Sequence, residues 1–235
     1  MGIAYNTSIV SDGLVFALDA ANSRSYSGSG LTANALVGSK TGALTNGIGF
    51  TNTNNGSFTF DGTNDFIDLS TNLDTGNNFS VFAWIYPTNI NIRNHIIGNS
   101  FTYTGSNGWS MATATNYSGT SNNFYLAIGA DVALQSAYNE SIIRNTWNYI
   151  GGTVLNGGEN IILYVAGTAV TSSFAEILAT NTITYNTQDM AIGRRVSTNP
   201  EYFIGKIAQV NIYNRVLSAA EIKQNYNATK KRYGL

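Results

Sequence analysis

Short apolar runs bounded by glycine and asparagine recur from one end of this sequence to the other, a pattern of many strands joined by tight turns. The most demanding of them is Phe79 to Tyr86. In an extended chain Phe79, Val81, Ala83 and Ile85 point one way while Phe82, Trp84 and Tyr86 point the other, so a strand here needs cover on both faces. Such a strand belongs in the middle of a layered stack, and Pro87, with no N–H for a ladder, closes it. Further strands are expected over 13–19, 57–61, 65–69, 93–99, 108–114, 123–129, 147–155, 160–166, 188–193 and 204–214. Within 147–155 the pair Gly151-Gly152 admits a close neighbouring backbone. Asn156-Gly157-Gly158 then supplies positive-φ residues for a hairpin back into Asn160 to Val165.

Composition agrees. The 31 Asn and 24 Gly among 235 residues disfavour a helical fold, and 43% apolar content is too high for a disordered chain. One domain spanning 1–235 is expected, with a long polar loop at about 20–56 carrying at most a short strand. Cysteine is absent and there is one histidine, which removes disulfides, thiolate metal sites, thiol nucleophiles and multi-histidine centres. With 12 basic against 13 acidic residues the chain has no field for wrapping phosphates, so nucleic acid is not an expected partner. No apolar run approaches a membrane span and no basic leader opens the sequence, so synthesis in the cytoplasm without a membrane partner is expected.

The one strong helix signal lies near the end. Ser218-Ala219-Ala220-Glu221 reads as a capping box, opening a helix whose Ile222 and Tyr226 share an inward face. The helix and a basic tail occupy about 218–235, with Lys230, Lys231 and Arg232 at the negative helix end or free to dock on an acidic neighbouring subunit.

Three colinear stretches carry a family resemblance. They are Gly13-Leu14-Val15-Phe16-Ala17-Leu18-Asp19-Ala20-Ala21-Asn22, then Ser57-Phe58-Thr59-Phe60-Asp61-Gly62-Thr63-Asn64-Asp65-Phe66-Ile67-Asp68-Leu69 leading to Phe79–Ile85, and finally Gly205 to Ile222 with Ile212-Tyr213-Asn214-Arg215-Val216-Leu217-Ser218 at its centre. Together they resemble the laminin-G-like, concanavalin-A-like lectin/glucanase jelly roll. The resemblance implies an all-β, two-sheet antiparallel jelly-roll sandwich with a short C-terminal α-helix. Sequences similar in their opening and ending occur among structural and adhesive proteins of tailed bacteriophages of aquatic bacteria. It also implies that a structural calcium can lie near a sheet edge, with one ligand from an acidic residue in the strand before Ile-Tyr-Asn-Arg; this chain has Ala208-Gln209 there.

Candidate sites follow. Asp61, Asn64 and Asp65 place several hard oxygens within one turn and are candidates for calcium, against the plainer reading that they satisfy turn amides. Trp84 and Trp147 are expected in the core. Trp109, between turns shouldered by Tyr103 and Tyr117, is the ring expected to face outward, and with Asn107 and Arg93 it could form a sugar-binding rim; core packing of Trp109 is the equal alternative. His95 reads as a strand-edge residue without an acidic or nucleophilic neighbour in sequence. The five Glu residues are scattered and no Glu-x-Asp-x-x-Glu strand motif exists, so no catalytic residue is assigned and an enzyme is not expected. The sequence therefore points first to a non-catalytic virion structural protein, a capsid decoration or fibre component on the virion surface. Its partners would be other virion proteins reached through loops and termini, in a homo-oligomer. The alternative is a carbohydrate-binding adhesion module that recognises surface glycans.

Overall fold

The computed structural model describes residues 8–70, 73, 75–90, 93–99, 108–114, 123–130, 133–139, 141–158, 160–174, 183, 189–196 and 200–235. In chain order its strands begin with β1 (Leu14–Asp19), β2 (Thr32–Asn34), β3 (Thr41–Thr45), β4 (Gly49–Thr51), β5 (Ser57–Asp61) and β6 (Phe66–Asp68). They continue with β7 (Phe79–Pro87), β8 (Asn94–Gly98), β9 (Gly108–Ala114), β10 (Asn123–Ala130), β11 (Ala133–Asn139) and β12 (Asn148–Leu155). Then come β13 (Asn160–Val165), β14 (Thr168–Val170), β15 (Ser173–Phe174), β16 (Ala191–Ile192) and β17 (Ile204–Tyr213), followed by helix α1 (Ala219–Thr229). Among the described residues no helix is long and apolar enough to cross a membrane.

These strands form two antiparallel sheets. The first has the order β14-β13-β12-β7-β17-β5-β4 with β1 also paired to β17, and the second runs β15-β11-β10-β9-β8-β16-β6-β3-β2. Long β17 is the hub of the first sheet, holding β7 along one side and β5 and then β1 along the other. The inner faces meet in one core where Phe79, Val81, Ala83 and Ile85 of β7 oppose Trp109, Met111, Phe124 and Leu126 of the second sheet. A two-sheet jelly roll is what the strand pattern required.

β7 is covered on both sides, as its two-faced sequence demands. Phe82 and Trp84 belong to a second apolar cluster with Tyr149, Tyr213, Leu217, Ile222 and Tyr233, where α1 and the chain end lie over the outside of the first sheet. The capping box is present: Ser218 Oγ accepts from the Glu221 amide at 3.3 Å, and Glu221 Oε2 accepts from the Ser218 amide at 2.8 Å. Ile222 faces inward fully and Tyr226 partly, while Asn225 is also buried, accepting from the Val10 amide at 2.7 Å and donating to Tyr213 Oη at 3.0 Å.

The hairpin through Asn156-Gly157 joins β12 to β13 with φ of 51° and 66° at those two residues. Gly151 is the close approach that its sequence suggested, since a Cβ there would run into the Val81 carbonyl oxygen and the Phe82 ring. Gly151→Ala should therefore cost about 1–3 kcal/mol through overpacking. A urea midpoint equal to that of the native protein would show that the two strands lie farther apart.

Two expectations need correction. The stretch 20–56 is not a loop with at most one short strand, because it contributes β2 and β3 to the second sheet and β4 to the first. Its sparse apolar residues act as anchors: Ala33 and Leu44 enter the core, and Tyr26 packs between Phe50 and Phe58 at centroid distances of 5.1 and 5.0 Å. Trp147 is only half-buried, its ring against Tyr233 and its Nε1 donating to Asn54 Oδ1 at 3.1 Å, because it lies beyond the edge of the outer cluster rather than between the sheets. Trp84 is buried as expected, under the chain end, where Nε1 donates to Thr229 Oγ1 at 2.8 Å.

Candidate functional site

On the second sheet the alternation that sends Trp109, Met111, Phe124 and Leu126 inward leaves Ser110, Ala112, Tyr125 and Ala127 on the outer face. β8 joins this face through His95, which stands opposite Ala112 beside an irregularity in the β8–β9 register. Beside it, Arg194 and Tyr202 pair in an isolated bridge, and the Arg195 amide donates to the Glu201 carbonyl at 2.9 Å. That pairing brings the side chains of Arg195 and Glu201 to His95.

The resulting cluster is tight. Glu201 Oε2 lies 3.1 Å from His95 Nε2 and 3.6 Å from Arg195 Nε, and Glu201 Oε1 lies 3.4 Å from Arg93 Nη1. The other ring nitrogen, His95 Nδ1, is 2.8 Å from Ser110 Oγ, and Tyr125 Oη is 3.4 Å from Nε2. A carboxylate at Nε2 requires the proton there, which leaves Nδ1 to accept from the Ser110 hydroxyl. The cluster is layered in depth: His95 and Ser110 are about 1% exposed, whereas the side chains of Arg93 and Glu201 are 23% and 26% exposed and Tyr125 is half-buried.

Burial lowers the pKa of His95, outweighing the pull of Glu201 in the other direction, while the Arg195 and Arg93 charges lower it further. Burial alone would raise the pKa of Glu201. The His95 hydrogen bond and the charges of Arg93 and Arg195 win, and the carboxyl is held below its ordinary value. The site is therefore a neutral imidazole beneath an ionised, oriented carboxylate that two guanidinium groups flank.

Ser110, His95 and Glu201 stand in the order of a hydrolase triad, but Ser110 is sealed from solvent in mid-strand, where no substrate carbonyl can reach it. Glycoside hydrolysis needs a second carboxylate across the scissile bond. Among the described residues no group of three or more acidic or metal-ligating side chains forms, and Glu201 is the carboxylate that touches this cluster.

Sequence reasoning chose partly different residues. Trp109 does not face outward. It is fully buried, tilted against Phe79 at a centroid distance of 5.0 Å, because its place in β9 puts it on the core side of the sheet. Arg93 lies in the cluster, against Glu201. Tyr103, Asn107 and Tyr117 lie outside the described residues. His95 is not at a strand edge, since β8 is flanked by β9 and β16, and its acidic and hydroxyl neighbours come from distant parts of the chain. Glu201, Arg195, Ser110 and Tyr125 went unrecognised. The period-two pattern could have placed Ser110 and Tyr125 on the outer face, but nothing local ties Glu201 to His95.

Asp61, Asn64 and Asp65 build the β5–β6 turn. Asp61 Oδ1 accepts from the Thr63 amide at 2.7 Å and the Asn64 amide at 3.4 Å, and Asp65 Oδ2 accepts from the Asp61 amide at 3.1 Å. The Asn64 carbonyl is taken by Asn46 Nδ2 at 2.9 Å. The Thr63 amide leads in holding the Asp61 carboxyl below its ordinary pKa, while burial raises that of Asp65. These are the bonds of the turn itself, and Asp65 Oδ1 is buried without a hydrogen-bond partner.

Solved structures of like architecture are distant in sequence. Domain 4 of AbnA, a GH43 extracellular arabinanase from Geobacillus stearothermophilus solved with arabinotriose, aligns over 91% of this chain and 98% of its own, with a TM-score of 0.63 and 14% identity. The botulinum neurotoxin type G receptor binding domain aligns over 92% of this chain and 51% of its own, at 0.64 and 20%. This chain thus spans about half the length of that toxin domain. A mutant Trypanosoma rangeli sialidase displaying trans-sialidase activity aligns over 98% of this chain and 35% of its own, at 0.61 and 14%. No curated protein sequence matches the chain. The sequence pattern of Laminin_G_3, described as the concanavalin A-like lectin/glucanases superfamily, matches residues 61–223. Two packed antiparallel sheets, a capped C-terminal helix and that match converge: the chain belongs to the concanavalin A-like lectin/glucanase superfamily, as a Laminin_G_3 domain.

Proposed function

We propose that this domain is a non-catalytic glycan-recognition module whose contact surface is the outer face of the second sheet around Glu201, Arg93 and Tyr125. The observation that carries the reading is the preorganised Glu201 carboxylate, ionised, partly exposed and oriented by His95 beneath it and by Arg93 and Arg195 beside it. Sugars present hydroxyl pairs that a fixed carboxylate accepts from and guanidinium groups donate to, with C–H faces that pack on an aromatic ring such as Tyr125. His95 and Ser110 touch no ligand in this scheme. They hold the carboxylate in place. The arabinotriose bound to the arabinanase domain and the receptor-binding role named for the toxin domain support a binding rather than a chemical task.

Glycan-array screening followed by calorimetry tests this. Glu201→Gln keeps the shape and removes the charge, and losing a charge-assisted hydrogen bond of about 1.5–3 kcal/mol should weaken binding roughly 10- to 100-fold. Binding by Glu201→Gln as tight as by the native chain would place the site elsewhere, and turnover of a polysaccharide by the pure protein would remove the non-catalytic reading.

For its setting we propose display on a virion surface, as a decoration or fibre component in a homo-oligomer, on the strength of the sequence resemblance. Loops rather than the basic tail would make those contacts, since Arg232 is already paired to Asp19 within the chain. Proteomics of purified particles and light scattering of the isolated protein check both parts; absence from particles, or a monomer, would reject them.

A further inference from the structure

The outer side of the first sheet is covered only in part. The chain end lies on one row of it, with the Tyr233 ring stacked on Trp84 at a centroid distance of 4.0 Å. At the next outward-facing row the cover stops. There Thr59 of β5 is the register partner of Lys206 of β17, and Lys206 that of Tyr86 of β7, so the three side chains stand in line across the sheet. Trp147, just before β12, continues the line: its ring centroid is 5.6 Å from that of Tyr86, at an interplanar angle of 64°. All four residues are half-buried, and Gly49 of β4, opposite Thr59, adds no side chain at the end of the line.

The two rings are held in place. Trp147 Nε1 donates to Asn54 Oδ1 at 3.1 Å and its ring lies 4.7 Å from that of Tyr233, so the indole offers a ring surface and keeps its donor engaged. Lys206 Nζ lies 5.4 Å from the centre of the Tyr86 ring. Arg144, exposed in the loop before Trp147, donates from Nε to the carbonyl of Thr88, two residues after Tyr86. Among the described residues neither Lys206 nor Arg144 has a carboxylate partner. Asp61, two residues along β5 from Thr59, turns its Oδ1 to the Thr63 and Asn64 amides. A chain of net charge −1 thus sets two uncompensated cations around a pair of fixed rings.

This arrangement selects its ligand. Each of β5, β17, β7 and β12 has a strand on both sides, so no edge is open for a peptide strand to pair with. Fixed aromatic surfaces suit the C–H faces of sugar rings, and unpaired cations at their margin suit acidic substituents.

We propose that Thr59, Lys206, Tyr86, Trp147 and Arg144 form a second binding surface, for an anionic polysaccharide whose sugar rings lie on Trp147 and Tyr86 and whose carboxylate or sulfate groups meet Lys206 and Arg144. It is on the other sheet from Glu201 and stands apart from that site.

Calorimetry of the full chain with polygalacturonate, dextran sulfate and plain dextran tests it. At least one of the two anionic polymers should bind, the tighter naming the acidic group, and plain dextran should not. Lys206→Gln with Arg144→Gln should weaken binding roughly 10-fold and flatten its salt dependence. Tyr86→Ala should weaken it while leaving the salt dependence in place; if melting curves show that variant unfolded, Tyr86→Leu, which keeps bulk without the ring, replaces it. Lys230→Gln with Lys231→Gln, in the C-terminal turn, should bind like the native protein. No binding of either anionic polymer, equal binding of plain dextran, or a loss on the Lys230 and Lys231 pair as large as on Lys206 and Arg144 would overturn the proposal. So would a loss on Glu201→Gln in place of one on Lys206 and Arg144.

Discussion

Trp109→Ala should lower the unfolding free energy by about 3–5 kcal/mol, the range for removing a large aromatic side chain from a core that cannot collapse around the void. Trp109 is fully buried and lies against Phe79, so its ring bridges β9 of one sheet and β7 of the other. For a chain of this length each kcal/mol moves the melting temperature by about 2–4 °C. Glycan affinity per folded molecule should be unchanged. Trp109→Phe is the gentler control, because the indole Nε1 is buried without a partner and its removal relieves an unsatisfied donor while most of the ring remains. Denaturant unfolding with calorimetric binding on the same samples decides between roles. A variant that keeps its stability and loses its ligand would put the ring at the surface.

Acid should destabilise the protein through the cluster beneath Glu201. Burial depresses the pKa of His95 below its unfolded value near 6.5. The unfolded chain therefore takes up a proton first as pH falls, and stability that is fully present above 6.5 is lost toward the lower folded value. Where one full proton separates the two states the slope is about 1.4 kcal/mol per pH unit. Glu201 acts in the same direction over a lower window, since its folded pKa is also depressed: its contribution is present above the ordinary carboxylate value near 4.5 and disappears below it. Stability measured by urea unfolding from pH 7 to pH 5 should fall for the native protein and fall less for His95→Gln. Equal slopes for the two would mean that His95 is not the group that titrates.

The sandwich itself was legible because strand formation and face selection depend on local alternation. Phe79 to Ile85 announces a two-sided strand through its own side chains, and Ser218 to Glu221 announces a helix start through a contact three residues long. The strands in 20–56 were hidden by the opposite circumstance. β2, β3 and β4 are three to five residues long and only partly buried; β3 is held in the second sheet by the distant β6, and β2 and β4 are added as short hairpin partners of β3 and β5. Aromatic residues misled for a related reason: Trp109 sits beside Gly108 in a polar neighbourhood of sequence, yet one residue of register sends it to the core.

Recurrent short apolar runs, an absence of cysteine and a capping box near the end settle, without coordinates, that this chain makes stacked sheets with a helical tailpiece and no thiolate or multi-histidine metal centre, because each of those outcomes depends on neighbours in sequence. Folding alone joins Glu201 to His95 across more than a hundred residues and Arg232 to Asp19 across more than two hundred. No local pattern encodes such pairs: they exist only once the sheet order has brought the ends of separate strands within reach of one charge.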